Sequence, residues 1–362
     1  MKLIFVTGAS HLPQSMGGVQ SSTDSIITTL AGMGHTGAVA CALWGEGKMA
    51  LSGRFQMKLT RQPFARDRTN GYCSYRAWDI LAALPAIVRA YQPDVAIVQH
   101  VNTMPLAQAL IAAKVPSVLY FRNAEFPDLK GDLRDLPDHV RYIANSRFTA
   151  SAYAQKYGVS SAVIPPLIRA ENYRTSAAGK AVVMINPHPI KGVEVALAVA
   201  ELCPDIPFRF VQSWGLLPEH QARMTAALEQ LPNITVLPAT RDMKAIYAQA
   251  RLVLAPSQYE EAWGRIASEA HVSGIPVVGS DRGGLPEAIG PGGVALPANA
   301  PASEWAATVR RIWSDDAFHA ALSRQALHYA EREEMQPEGQ ARLLLDTAQQ
   351  AIDAFHAAGV PA

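Results

Sequence analysis

The stretch RLVLAPSQYEEAWGRIASEAHVSGIPVVGS, residues 251–280, decides how the rest of the chain is read. RLVLAPS is apolar and short enough for a strand, Gly264 onward has the spacing of a helix, and PVVGS is a second strand. A strand, a crossover helix and another strand make a βαβ unit, whose strands must run parallel. The loop between RLVLAPS and the helix holds Glu260 and Glu261, followed by the step Trp263-Gly264-Arg265, and Glu269 lies inside the helix.

The same alternation extends outward in both directions. Upstream, AVVMIN, FRFVQ and ITVLP are strands separated by helical stretches such as VEVALAVAELC and EHQARMTAALEQL, and GVALP follows downstream. Before the polar linker RAENYRTSAAGK the pattern also holds: LIFVT, GAVACAL, VAIVQ, SVLYF, RYIAN and AVIPP alternate with TDSIITTLAGMGH, AWDILAALPAIVRAY, TMPLAQALIAAK and SRFTASAYAQKYG. Strand–helix alternation of this kind predicts α/β domains with doubly wound parallel sheets. The expected boundaries are residues 1–170, residues 175–335, and a terminal helix in 336–362 that crosses back to the first domain. That helix starts near Pro337 and carries Leu343, Leu344, Ala348, Ala351, Ile352 and Phe355 on one side.

Composition narrows the class. With 49% hydrophobic and 17% charged residues among 362, the chain has material for two cores and is unlike a disordered segment. The apolar run ILAALPAIV is too short to span a bilayer, and MKLIFVTGAS is too short for a signal-peptide core. Cys41, Cys73 and Cys203 have no metal-ligand spacing, which fits a reducing cytoplasm. The net charge of +1 is unevenly spread, with 17 Lys and Arg against 10 Asp and Glu in residues 1–170. Arg54, Lys58, Arg61, Arg66 and Arg68 fall within one short span. Two readings of that span stand: an anionic acceptor or acidic membrane surface, or a solvated loop, since no apolar helix is visible beside the charges.

Three loops that follow strands carry candidate chemistry. After LIFVT, Gly17-Gly18 precede a helix in a pattern that is neither GxGxxG nor a phosphate loop. They either admit a ligand to the backbone or form an ordinary turn. In NPHPIKG, Lys191 stands either as a point charge for a phosphate or as a surface lysine beside a turn glycine. In the opening stretch, the amides near Gly264 and Arg265 suit a diphosphate, and glycine removes a Cβ from its path. Glu269 suits the paired hydroxyls of a ribose, and Glu261 those of a second sugar. The plainer reading is that Glu260 and Glu261 merely favour a helix start.

Glu261 and Glu269 match the E-x7-E signature of the retaining family 4 glycosyltransferases, which have the GT-B fold. Flanking PS, EA and GIPVVGSDRGGLPE resemble the family as well, as do the Gly17-Gly18 loop, Lys191-Gly192 and NSRFTA. The resemblance implies two Rossmann-like domains facing a central cleft, the first on the acceptor side and the second holding a nucleotide-sugar donor. It implies that Glu269 holds the ribose, Glu261 the transferred sugar and Lys191 the diphosphate, with Gly18 approaching it and backbone near Arg241–Met243 holding the base. Asn186 stands where relatives have an arginine, and we expect Arg265 to supply that cation. Where relatives have a histidine after the fourth strand, Arg122 and Asn123 occur here. Arg122 or nearby His100 is then the first-domain contribution, His100 being equally readable as a polar strand-end residue.

The resemblance implies a retaining transfer of a hexose with a UDP-sugar as leading donor, and the transfer is expected to be metal-independent. No Asp-x-Asp motif is present to hold a metal, no cofactor is expected, and the nucleotide sugar is a substrate. The acceptor is left open among small molecules, lipid-linked groups and saccharides, without nucleic acid. The expected location is cytoplasmic, with peripheral contact at the inner face of the membrane left open. Two alternatives are a nucleotide-sugar epimerase or hydrolase of this fold and a two-domain solute-binding protein.

Overall fold

The computed structural model describes residues 1–213 and 215–359, so the last three positions of the expected terminal segment lie outside the described residues. The chain divides into two compact units: unit 1 is Met1–Leu167 together with the segment from Glu334 onward, and unit 2 is Ile168–Glu333.

Unit 1 begins β1 (Lys2–Ser10), α1 (Gly18–Gly32), β2 (Thr36–Ala42), α2 (Gly47–Thr60), β3 (Ala65–Asp67), β4 (Cys73–Ala77) and α3 (Ile80–Tyr91). It continues β5 (Val95–Gln99), α4 (Thr103–Ala112), β6 (Ser117–Phe121), β7 (Arg141–Ala144), α5 (Arg147–Tyr157) and β8 (Ala162–Val163). Its eight strands lie in the order β3-β4-β2-β1-β5-β6-β7-β8, all pairs parallel except β3 with β4. Both faces are covered, which is why β1, β5 and β6 read as continuous apolar runs. Leu3, Phe5, Ile97, Val118 and Ile143 point to one core, Ile4, Val6, Ala96, Val98 and Leu119 to the other.

Unit 2 comprises β9 (Ala181–Ile185), α6 (Val193–Leu202), β10 (Phe208–Val211), α7 (Pro218–Gln230), β11 (Ile234–Leu237), α8 (Met243–Tyr247) and β12 (Ala250–Ala255). Next come α9 (Arg265–His271), β13 (Val277–Ser280), α10 (Leu285–Ile289), β14 (Gly293–Leu296), α11 (Ala302–Ser314) and α12 (Asp316–Ala330). The six strands are all parallel in the order β11-β10-β9-β12-β13-β14. Numbered within the unit this is 3-2-1-4-5-6, the order of a dinucleotide-binding sheet.

The chain then returns to unit 1 as α13 (Pro337–Ala357). Ala341, Leu344, Ala348 and Ala351 pack with Leu3, Phe5, Val118 and Ile143, and Gln340 Nε2 donates to the Pro165 carbonyl at 3.1 Å. Leu343, assigned to that face from the sequence, is instead 41% exposed.

Three elements differ from the sequence reading. Helix α2 and strand β3 occupy the region read only for its charges, and strand β4 follows it. Periodicity fails for α2 because its buried side is built from small residues, Ala50 and Gly53, while larger apolar side chains face away from the core. Contrary to the expectation from sequence, a helix with exposed apolar side chains does accompany the basic span. No described helix is long and apolar enough to cross a membrane.

Candidate active site

In unit 2 the strand order reverses between β9 and β12. Connections on the two sides of such a reversal leave over opposite faces, so the loops beyond the carboxyl ends of these strands part and leave a crevice. The loop after β9 carries Asn186 to Gly192, and the loop after β12 carries Pro256 to Gly264.

These two loops are fastened to each other. Gly192 has φ 78, and a Cβ at that position would stand 1.8 Å from the Pro256 carbonyl oxygen. The Gln258 amide donates to the Ile190 carbonyl at 2.9 Å. This clamp sets Lys191 Nζ 2.5 Å from Glu261 Oε1, with the two side chains 20% and 17% exposed. Ser257 Oγ donates to the same carboxylate oxygen at 3.0 Å, and the Glu261 carbonyl accepts from the Gly284 amide at 2.6 Å. Lys191 Nζ also lies 5.4 Å from the Tyr259 ring centroid.

A second cluster is built around Glu269, which is 7% exposed. Its Oε1 accepts from Arg265 Nε at 3.2 Å, and its Oε2 accepts from Tyr247 Oη at 2.8 Å. Arg265 Nη2 donates to Tyr173 Oη at 3.1 Å. Burial, then the Glu269 carboxylate, pushes the Tyr247 phenol well above its ordinary pKa, and the same two causes raise that of Tyr173. For Arg265, burial works to lower the pKa, but Glu269 and Tyr173 outweigh it and the group stays charged.

Glu261 and Lys191 thus meet directly, and Glu269 and Arg265 form a separate i,i+4 pair on α9. Arg265, expected to supply the cation at the diphosphate, has a side chain 13% exposed and bonded to Glu269 and Tyr173. Gly264, expected to clear a path for phosphate oxygens, has φ 98, and a Cβ there would stand 2.5 Å from Leu285 Cδ1, so turn geometry and packing also call for a glycine. Asn186 follows β9 with φ 60, a left-handed conformation that asparagine tolerates better than arginine does. Arg241 is exposed and Met243 opens α8, both beyond the edge strand β11, with Asp242 capping the helix through the Ala245 amide at 3.0 Å.

In unit 1 the order reverses between β1 and β5. Gly17 caps α1 in an extended conformation, φ −173, which any residue adopts, and Gly18 is the first helical residue. His100 follows β5 with its Nδ1 buried and without a hydrogen-bond partner, and burial lowers its pKa. Asn123 Nδ2 donates to Asp128 Oδ2 at 2.9 Å. Arg122, expected among the reacting groups, is 7% exposed and lies 3.5 Å from the Tyr120 ring centroid. It donates to Gln99 Oε1 at 2.9 Å and Ser22 Oγ at 3.3 Å, so it ties β5, β6 and α1 together.

Sequence reasoning overlooked Tyr173 and Tyr247, which no motif marks, and gave Ser257 no role beyond its place in the flanking PS. It also overlooked a half-buried chain after β1, in which His11 Nε2 lies 2.7 Å from Tyr72 Oη, and Tyr72 donates to Asp24 Oδ1 at 3.0 Å. Among the described residues no group of three or more His, Cys, Asp or Glu is arranged to hold a metal ion.

Comparison with known proteins places this geometry in a family. Residues 16–172 match the family model "Glycosyltransferase Family 4", and residues 179–315 match "Glycosyl transferases group 1". A curated relative, the D-inositol 3-phosphate glycosyltransferase of Streptomyces bingchenggensis, is 30% identical over 224 residues, covering 53% of this chain and 49% of its own. The match thus spans about half the length of that relative. A glycosyltransferase from Rickettsia africae superposes with a TM-score of 0.73 at 14% identity, over 97% of this chain and 98% of that one. HepE of Anabaena, crystallised with UDP-glucose, gives 0.73 at 19% identity, over 96% and 99%. With both units matched in succession and the fold shared end to end, the chain belongs to the group 1, family 4 glycosyltransferases of the GT-B fold.

Proposed function

We propose that this protein transfers a hexosyl group from a nucleotide sugar, with UDP as the carrier, to an acceptor hydroxyl, retaining the anomeric configuration. The observation that carries the reading is the Lys191–Glu261 pair at the strand reversal of unit 2, with Glu269 held beside the same β12 loop by Arg265 and Tyr247. The solved HepE complexes with UDP and with UDP-glucose favour uridine over other bases.

In this reading the diphosphate displaces Glu261 as the partner of Lys191. The ammonium then faces the oxygens on which negative charge grows as the anomeric bond breaks, and Glu261 is released to accept from sugar hydroxyls. A donor aimed at developing charge is worth roughly 3 kcal/mol, about two decades in rate. Glu269 takes the ribose hydroxyls; Arg265 is a positioning residue that keeps its carboxylate oriented. Positive charge for the leaving group comes from the chain itself, so the transfer is expected to persist in a chelator.

Calorimetric titration of the protein with UDP, GDP and ADP, each with and without EDTA, tests the donor assignment. We expect UDP to bind, Lys191→Ala to weaken it, and EDTA to have no effect. Tighter binding of another diphosphate would overturn the choice of UDP, and binding indifferent to Lys191 would overturn the site.

A further inference from the structure

We infer that unit 1 docks on an anionic lipid bilayer through the outward face of α2. A helix on a globular domain normally turns its apolar stripe inward. Here Ala50 and Gly53 face the core, while Leu51, Phe55 and Leu59 are 66%, 70% and 72% exposed. Their spacing of four residues puts them on one side of the helix, where side chains lie one above the other. Trp44, just ahead of the helix, and Trp78 are also exposed, and the Arg54 guanidinium lies 5.2 Å from the Trp78 ring centroid.

Charge identifies the occupant. Lys48, Arg54 and Lys58 flank the apolar stripe, and Arg61, Arg66 and Arg68 follow in the connection to β4. Only Glu46 and Asp67 oppose them over residues 44–68, and Asp67 is engaged by Arg76 at 2.6 Å. Arg66 and Arg89, with Gln56, Thr60 and Gln62, line a cavity of about 450 Å³ at the edge of α2. Its two guanidiniums suit a phosphodiester headgroup, while the Gln56 amide is already bonded to the Arg66 backbone. An apolar stripe rimmed by cations is what an interfacial helix presents to a charged membrane, the stripe entering the acyl boundary and the cations meeting phosphates. A second copy of this face would set like charges against each other, and nucleic acid would leave the stripe exposed.

Flotation of the full chain with vesicles tests the inference. Vesicles of phosphatidylcholine mixed with phosphatidylglycerol are compared with vesicles of phosphatidylcholine alone, at low and high salt. We expect at least about tenfold tighter binding to the mixed vesicles, weakening as salt rises. The triple variant Leu51→Ser, Phe55→Ser, Leu59→Ser should lose binding about a hundredfold or more at every salt concentration. Lys48→Glu with Lys58→Glu should lose at least about tenfold, mostly at low salt. All five positions are exposed, so both variants should keep the parent unfolding transition. Absence of vesicle binding, equal binding to the two vesicle types, or binding that neither variant alters overturns the inference. So does a dimer in solution that the triple variant abolishes while vesicles go unbound.

Discussion

At the scale of the residue, the two ion pairs of unit 2 have different burdens, and substitution separates them. Arg265 is 13% exposed and its loss strands the Glu269 carboxylate in a buried setting. Breaking such a pair from one side costs roughly 3–5 kcal/mol. Arg265→Ala should therefore lower the midpoint of denaturant unfolding as well as nucleotide binding. Lys191→Ala should instead lower kcat/KM by about a hundredfold with a small change in stability, because Glu261 keeps Ser257 and partial access to water. Unfolding curves and steady-state rates on the two variants check the split; an Arg265→Ala protein as stable as the parent would refute the buried-pair argument. Glu261 and Lys191 were legible in the sequence because each lies in a loop that follows a strand, and Glu269 because it stands at a readable spacing from Glu261 in the helix after that loop. Their partners were not. Lys191 and Glu261 lie 70 residues apart and meet only because β9 and β12 are neighbours, a fact of strand order that no local pattern carries.

At the scale of the element, the two loops after β9 and β12 act as one piece. Gly192 is required twice over, by its left-handed backbone and by the Pro256 carbonyl in the space a methyl group would need. Gly192→Ala should cost more than the roughly 1 kcal/mol of conformational strain alone, because the loop must also back away from Pro256 and carry Lys191 off Glu261. The expected outcome is a lower unfolding midpoint together with weakened UDP binding, measured by denaturant titration and calorimetry; a stable variant with unchanged affinity would show that the clamp does not position Lys191. The parallel strands and most crossover helices were legible because burial on both faces produces unbroken apolar runs bounded by turns. Helix α2 was illegible for the opposite reason. Its inner side is Ala50 and Gly53, its outer side Leu51, Phe55 and Leu59, so the pattern that marks a core-facing helix is inverted. Helix α9 is shorter than the spacing implied, ending at His271 before the turn at Gly274, where φ is 68.

At the scale of the whole molecule, unit 1 is assembled from both ends of the chain, since α13 closes the sheet face formed by β1, β5, β6 and β7. Unit 2 is continuous, so the two units need not respond alike to a common stress. Acid, however, should reach both. His11 in unit 1 is lowered to about 4 by burial and by Arg76, and His271 in unit 2 is lowered to about 4 by burial and by Arg332. In each case the folded state holds the neutral ring, while the unfolded chain takes up a proton near pH 6.5. Between these values the unfolded state binds more protons, so stability rises with pH there: it is intact above about pH 6.5 and lost progressively toward about pH 4. Going from pH 7 to about 5.5, each histidine should remove about 1 kcal/mol, before most carboxylates begin to titrate. Hydrogen exchange followed by mass spectrometry reads the two units separately. Protection should fall in both over that interval, and His11→Gln should lessen the fall in unit 1, where burial also lowers His100, while leaving unit 2 unchanged. Protection that is level from pH 7 to 5.5 in the parent would mean that neither imidazole is held neutral by its burial.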